Sequence, residues 1–435
     1  MCVRDLARSS LDRLIQTGAG NNALTRRPRI VTIPRMSTHP TATLYRLFVS
    51  ITPGLEPLLA QELTDLGIGA KQTSVTGGME LMGDRQCLWR LCRDSRLAES
   101  VRVRLGPPFA ARSFDDLLAG LGRLPWAAYL QRGGALPEVR VTCHHSRLYH
   151  SGAVAQRVVQ VLTDRVGCQD QGGDAADRVH VRLERDQVQV SVDASGELLH
   201  RRGYRLHVGQ APLRETLAAA CLRAAAYTHT SHLAHPSPPV GHQRSAPHSG
   251  EAPPLRALWD PFCGAGTLVL EALAMAAGIA PGAQRRFAFE RWPTHDARAY
   301  ADWLAESPVP DAVPPSLRLF ASDRDPRELE AARANARAAE LETHLTLSEG
   351  DFQQVAPQIP AGTGIITNPP YGKRLPGEPD LYPRLGELLR QRPDLRPVHL
   401  LTAVRGLGRL TDCKWEAVLS FSNRGLPVRL LRLTD

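Results

Sequence analysis

Two short stretches carry residue types that could do chemistry. In "DPFCGAGT", residues 260–267, an acid closes an apolar run, and Gly264 and Gly266 allow a sharp turn with close approach of a ligand to the backbone. Thr267 then opens an Ala-rich helix whose first N–H groups have no partner within it. A Gly-x-Gly pair alone most often marks a structural turn. A dinucleotide site usually adds a third glycine and meets a pyrophosphate, whereas the carboxylate of Asp260 suits a ligand carrying a positive ammonium. In "TNPPY", residues 367–371, Pro369 and Pro370 lack N–H groups and fix φ, so Asn368 and Tyr371 flank a stiff corner that is neither helix nor central strand.

The elements that must position these residues read as strands alternating with helices. "LRLFASD" ends at Asp323, where a strand-end acid can take the hydroxyl protons of a ribose, while Asp325 ahead of Pro326 is placed to cap the next helix. "LTLSEGD" ends at Asp351 and "GIITN" at Asn368. Such alternation implies a parallel sheet, and parallel sheets bind ligands across the carboxyl ends of their strands. Asp260, Asp323, Asp351 and Asn368 would then share one edge. "VHLLTAV" and the two strand-like runs joined by "SNRGLP" complete the pattern with an antiparallel hairpin.

The front of the chain is α+β. "YRLFVSI" alternates as a strand, "PGLEPLLAQELTDLG" has helical spacing ended by Gly67, and "VTGGMELMG" is a tight turn feeding a strand. A helix and strand follow in "CLWRLCRDSRLAESVRVRLG", a helix N-capped by Ser113, and a strand, polar loop and amphipathic helix in "PEVRVTCHHSRLYHSGAVAQRVVQVLTDRVG". "VHVRLERDQVQVSVDASGELLHRRGYR" gives two strands and a basic end.

At 435 residues and 43% hydrophobic, the chain has the length and apolar content of globular material in two or three domains. No run suits a membrane span or a signal peptide, so a cytoplasmic protein is expected. The eight cysteines show neither disulfide nor zinc spacing; Cys87 and Cys92 read as small helix hydrophobes. Cys143, His144, His145 and His150 cannot converge from a strand on one metal, and no metal is expected. A net charge of +9 suits a polyanion. Residues 1–42 read as a flexible basic extension, and 225–254, rich in His, Pro and Ser, as a disordered insertion.

The segments from Phe48 to Arg205, "SRLYHSGAV" and "LHRRGYR" above all, resemble the THUMP domain and adjoining ferredoxin-like region of RNA-modifying enzymes. "DPFCGAGT" followed by "NPPY" resembles class I methyltransferases that use S-adenosyl-L-methionine to methylate exocyclic amines of bases. With "FAFERWP", the family most resembled is the THUMP-containing guanine-N2 methyltransferases of large-subunit ribosomal RNA. The resemblance implies a THUMP/ferredoxin-like region over 43–207 and a Rossmann-like methyltransferase domain over 208–435. It places Asp260 at the methionine ammonium, with Pro261, Cys263, Gly264, Gly266 and Thr267 in the cofactor loop. Asp323 would meet the ribose, Asp351 the adenine amine, and Arg214 and Glu215 of "PLRET" the amino-acid end. Asn368, Pro369, Pro370 and Tyr371 would be catalytic: the Asn368 amide oxygen and Pro369 carbonyl accept the two protons of the target amine, and Tyr371 stacks on the base. Arg147, Tyr149, His150, Arg201, Arg202 and Arg205 would contact RNA. Transfer RNA is the alternative substrate; a DNA adenine-N6 methyltransferase and a non-catalytic RNA-binding assembly factor are more distant readings, the first opposed by the RNA-binding front half and the second by the intact Asp260, Asn368 and Tyr371.

Overall fold

The computed structural model describes residues 43–69, 71–170, 177–207, 209, 213–227, 257–370, 380–423 and 425–434. The expectations for the basic extension, for nearly all of the 225–254 insertion and for Tyr371 fall outside them.

The front region is built on one sheet. Its strands are β1 (Tyr45–Ser50), β2 (Gln72–Val75), β3 (Gly78–Gly83), β4 (Ser100–Arg104), β5 (Phe109–Ala110), β6 (Glu138–His144), β7 (Arg178–Glu184) and β8 (Gln187–Asp193). They run in the order β2-β3-β1-β4-β8-β7-β6, with β5 also pairing β8. Alternation fixes one face inward: Leu47, Val49, Val101, Val103, Val179, Val181, Val190 and Val192 are all buried. Helices Glu56–Asp65, Arg85–Asp94 and Ser151–Val161 contribute Leu59, Leu88, Trp89, Val154 and Val158 to the same core. The expected cap on helix Phe114–Leu121 is present: Ser113 and Asp116 form a reciprocal capping box. Cys92 is buried and Cys87 half-buried on helix Arg85–Asp94, as small hydrophobes.

The second sheet comprises β9 (Ala257–Asp260), β10 (Arg318–Asp323), β11 (Leu345–Glu349), β12 (Gly364–Thr367), β13 (Val398–Thr402), β14 (Trp415–Asn423) and β15 (Leu426–Leu433). Its order is β11-β10-β9-β12-β13-β15-β14. The first five strands pair parallel, and β15 runs antiparallel to both neighbours, giving the expected terminal hairpin. Every residue of β12 and β13 is buried, as a parallel sheet covered on both faces requires. The order turns back at β9, with β10 on one side and β12 on the other; ligands of doubly wound sheets bind at such a reversal.

Thr43–Asp435 form one compact unit, fastened through buried charge. Glu271, on helix Thr267–Ala276, is fully buried and receives Arg96 Nη1 at 3.3 Å, Arg202 Nε at 3.0 Å and the Tyr204 hydroxyl at 3.4 Å. Arg96 also donates to the Ala274 and Ile279 carbonyls at the end of that helix. This corrects two expectations of RNA contact. Arg202 is only 3% exposed and donates to Glu271 and to the Leu199 and Arg96 carbonyls. Arg205 turns inward to the Leu213 carbonyl and Glu215. Both belong to a basic-looking segment, and their carboxylate partners lie 10 residues along the chain for Arg205 and 69 for Arg202.

The chain leaving Arg205 is clasped as well. Asn335, 1% exposed, accepts from the Leu206 and His207 N–H groups and donates to the His207 and Ala265 carbonyls. All four of its hydrogen-bonding positions are used. No helix among the described residues is long and apolar enough to cross a membrane.

Glu271→Ala would leave two buried guanidiniums without their counter-charge, and loses about 3–5 kcal/mol of stability. Urea unfolding checks this; an unchanged midpoint contradicts it.

Candidate active site

β9 and β12 are adjacent and parallel, with Leu258 opposite Gly364 and Trp259 opposite Ile365, so their tips meet. There the Thr367 hydroxyl donates to Asp260 Oδ1 at 2.5 Å, and the Phe262 N–H reaches the same oxygen at 3.2 Å. Asp260 is 1% exposed. Burial pushes its carboxyl up to about 7; the bonds from Thr367 and Phe262 oppose the shift, and nearby Asp323 adds to it.

The loop after β9 is stitched to β10. Trp259 Nε1 donates to Ser322 Oγ at 3.0 Å, the Cys263 N–H to the Ser322 carbonyl at 3.0 Å, and the Gly264 N–H to Asp323 Oδ2 at 3.0 Å. Asp323 Oδ1 accepts from the Asp325 N–H, and Asp325 in turn caps helix Pro326–Ala338. Each Asp323 oxygen thus holds one backbone proton and keeps a lone pair for a second donor. The two glycines have different reasons. Both have positive φ, but a Cβ on Gly266 would stand 3.2 Å from Ala332 Cβ, so helix packing excludes a side chain. Among the described residues, a Cβ on Gly264 would meet only Glu328 Oε2, at 3.8 Å, so none of them crowds this backbone. Pro261 and Cys263 are buried; burial pushes the Cys263 thiol well up, so it is a packed residue and not a nucleophile. Thr267 begins the helix and is 8% exposed.

The corner after β12 is held from behind. Pro369 is buried, and the Pro370 carbonyl accepts from the Tyr382 hydroxyl at 3.3 Å, which also lies 3.4 Å from Thr402 Oγ1 on β13. The amide oxygen of Asn368 is buried and accepts no hydrogen bond from the described residues. Leaving such an oxygen without a donor costs about 1–3 kcal/mol, and its position at the switch point supplies a reason: a ligand donor.

Other expected residues are placed with different commitments. Asp351 Oδ1 caps helix Phe352–Val355 and pairs with Arg384 at 2.6 Å. Arg214 turns to Glu99 of the front region at 2.8 Å, away from the role expected for it. Glu215 is buried beside Arg205, its carboxyl pushed up by burial against the pull of that arginine; its Oε2 accepts no bond from the described residues. Arg147 and His150 are exposed, and Tyr149, 69% exposed, rests its ring 4.1 Å from that of His150. Arg201 is exposed and paired with Glu197. No metal-binding cluster occurs among the described residues.

Sequence reasoning missed Thr367, Ser322 and Tyr382. Thr367 adjoins the corner, and a hydroxyl beside a strand-end acid was a usable signal; Tyr382 had none.

The raised Asp260 pKa has a definite stability signature. Between about pH 4 and 7 the folded chain holds a proton there that the unfolded chain has released, so this group's contribution is full below pH 4 and lost as pH rises through 7. Relative to wild type, Asp260→Asn should gain roughly 4 kcal/mol of stability from pH 4 to pH 8. Urea unfolding across that range would show a constant difference if the carboxyl were unshifted.

Residues 249–409 match the model of the RMKL-like methyltransferase domain, and residues 46–102 that of the RlmL ferredoxin-like domain. The chain is 36% identical over 403 residues to the ribosomal RNA large subunit methyltransferase K/L of Syntrophotalea carbinolica, covering 89% of this chain and 53% of that one. It spans about half the length of several such relatives. It is 31% identical over 405 residues to a putative RNA methyltransferase of Synechocystis, covering 90% of this chain and 97% of that protein. The solved structure of SMU.472, a putative methyltransferase complexed with SAH, superposes with a TM-score of 0.69 at 24% identity, over 89% of this chain and 97% of that one. A ferredoxin-like front region joined to a Rossmann-like sheet in the order found here, with relatives matching along almost the whole chain, places this protein in the RMKL-like methyltransferase family.

Proposed function

We propose that the chain methylates the exocyclic N2 amine of a guanine in large-subunit ribosomal RNA, with S-adenosyl-L-methionine as donor. The front region, 43–207, would hold the RNA and 208–435 carry out the transfer. The observation that carries the reading is the buried amide oxygen of Asn368, without a donor among the described residues, set at the switch point beside the Asp260 loop.

The residues fit the donor. Among the described residues, a Cβ on Gly264 would meet only Glu328, Asp260 is a buried acid without a cation, and Asp323 keeps acceptor capacity on both oxygens. Asp260 would meet an ammonium, Asp323 ribose hydroxyls, Glu215 the amino-acid end and Asp351 the adenine side; Arg214, bound to Glu99, is left out. S-adenosylmethionine supplies an electrophilic sulfonium methyl.

The chain's own task is to make a poor nucleophile competent. An exocyclic aryl amine delocalises its lone pair into the ring. With its two N–H groups hydrogen-bonded to Asn368 Oδ1 and the Pro369 carbonyl, the nitrogen pyramidalises and its lone pair can be aimed; one proton leaves only after the new N–C bond has formed. Those same acceptors stabilise the positive charge that develops on nitrogen. Pro369 and Pro370 fix both oxygens beforehand, and Tyr382 braces the corner, so little reorganisation is needed during reaction. Tyr371 would stack on the base, which must leave any helix to reach the site. The names of the Syntrophotalea and Synechocystis relatives support RNA as substrate, and the first supports the large ribosomal subunit.

Asn368→Ala should lower methyl transfer to large-subunit RNA from a strain lacking this gene by about 10²- to 10³-fold, the scale of losing one preorganised electrostatic group. S-adenosylmethionine affinity by calorimetry should stay at wild type. Nucleoside mass spectrometry identifies the product; undiminished transfer, or a product other than N2-methylguanosine, contradicts the reading.

A further inference from the structure

Helix Leu381–Gln391 follows the catalytic corner in the chain, and it touches more of the edge than that corner. Its buried face, with Leu381, Leu385, Leu388 and Leu389, packs in one cluster with Ile365 of β12 and Leu400 of β13. Gly386 sets how deep it lies: a Cβ there would run into the Thr411 carbonyl, so the helix backbone rests directly on helix Leu407–Thr411. Arg390 Nη1 donates to the same carbonyl at 2.7 Å. Close packing on two sides makes the helix a rigid mount.

From this mount two arginines reach the connection between β11 and β12. Arg392, just past the helix end, donates to the Ala356 and Ile359 carbonyls. Arg384 reaches the start of the connection, at the tip of β11: its Nη2 donates to Asp351 Oδ1 at 2.6 Å and its Nε to Gln353 Oε1 at 2.9 Å. The Arg384 guanidinium also stands 5.1 Å from the centroid of the Phe352 ring, and that ring lies 5.2 Å from Phe262 in the loop after β9. One side chain is thus tied to the tip of β11 and, through two rings, to the loop of Asp260.

Stability is a poor reason for this geometry. The Arg384 and Asp351 side chains are 30% and 25% exposed, and an ion pair so open to water adds little. The helix start is already capped, since Asp351 Oδ1 accepts the Gln353 N–H at 3.0 Å. What the arginine adds is direction. Its planar fork holds two acceptors at a fixed angle, which a flexible ammonium does not. Both the Arg384 bond and the Gln353 bond fall on Oδ1 of Asp351, and neither on Oδ2. A carboxylate pinned by one oxygen keeps the other, with its lone pairs, in one direction.

We propose that Arg384 is a positioning residue that makes the donor site selective for an adenosyl group: it holds Asp351 by Oδ1 and leaves Oδ2 to accept from the exocyclic amine of the adenine. The inference rests on the placement of Asp351 at the adenine side proposed above, and does not depend on which RNA base receives the methyl. An oxygen in place of that amine would meet Oδ2 with no proton between them, so the pinned carboxylate rejects it. Tyr382 projects from the same helix to the Pro370 carbonyl, so one rigid element holds both the adenine end and the Asn368 corner.

Calorimetric affinities for S-adenosylhomocysteine and for S-inosylhomocysteine, in which an oxygen replaces the amine, test this. Wild type should prefer the adenosyl compound by about 50-fold, the scale of a hydrogen bond to a charged group. Arg384→Gln should cut that preference about fivefold, the scale of freeing one side chain to turn, by weakening the adenosyl compound and not the inosyl one. Arg384→Lys, which keeps the charge and loses the fork, should fall between them, and Asp351→Ala should abolish the preference. Equal weakening of both compounds in Arg384→Gln would reduce the arginine to a support of the fold and overturn the inference. A full preference in Arg384→Gln, lost in Asp351→Ala, would also overturn it while leaving Asp351 at the adenine. No preference in wild type would remove Asp351 from the adenine and the inference with it, leaving methyl transfer intact. A wild-type chain that binds neither compound would overturn the donor site itself.

Discussion

The buried hydrogen bond between Thr367 and Asp260 is the constraint on which the site depends. It joins the tips of two parallel strands that are neighbours in space and about a hundred residues apart in sequence, at the point where strand order turns back. Through it, the loop that would hold a methyl donor and the corner that would hold an amine are kept on one edge in a fixed relation. The arrangement is costly. Asp260 is buried with no cation among the described residues beside it, Asp323 stands close by, and Asn368 keeps an oxygen without a partner. These are costs that a ligand with an ammonium, hydroxyls and an amine would relieve, which is how a preorganised site differs from a well-packed end of a sheet.

The rest of the fold keeps that edge rigid. Glu271, one turn along the helix that starts at Thr267, is locked by Arg96 from the front region and Arg202 from the connection. Asn335 ties the chain at His207 to the Ala265 carbonyl in the loop after β9. Buried ion pairs contribute little net stability but are expensive to break, so these contacts serve to fix one arrangement of front region against catalytic sheet. If the chain acts on RNA as proposed, with one region holding the strand and another the target base, that fixed relation would matter more than added stability.

The strands were legible because their alternation is clean: Leu47 and Val49, Val179 and Val181, and the uninterrupted apolar run into Thr367 leave little choice of face. So were the turns and caps, where Gly67, Ser113 and Asp325 each have a local reason. Residues whose partners are distant were not legible. Arg202 sits in a segment that looks basic and solvent-facing, and only the fold brings Glu271, 69 residues on, to it. The Arg214 pairing with Glu99 was invisible in the same way, since Glu99 lies 115 residues earlier in the chain. Tyr382 braces the corner from a helix whose sequence gives no sign of that contact, and Gly266 reads as a ligand-approach glycine until Ala332 is seen against it. Local chemistry is written in local sequence; ion pairs across an interface are not.

A crystal structure with S-adenosylhomocysteine bound tests the central claim most directly. The account predicts the cofactor's ammonium within hydrogen-bonding reach of Asp260, about 3 Å, and its sulfur facing Asn368 across the gap between β9 and β12. A cofactor bound away from the switch point, or one whose sulfur faces away from the Asn368 corner, would contradict it.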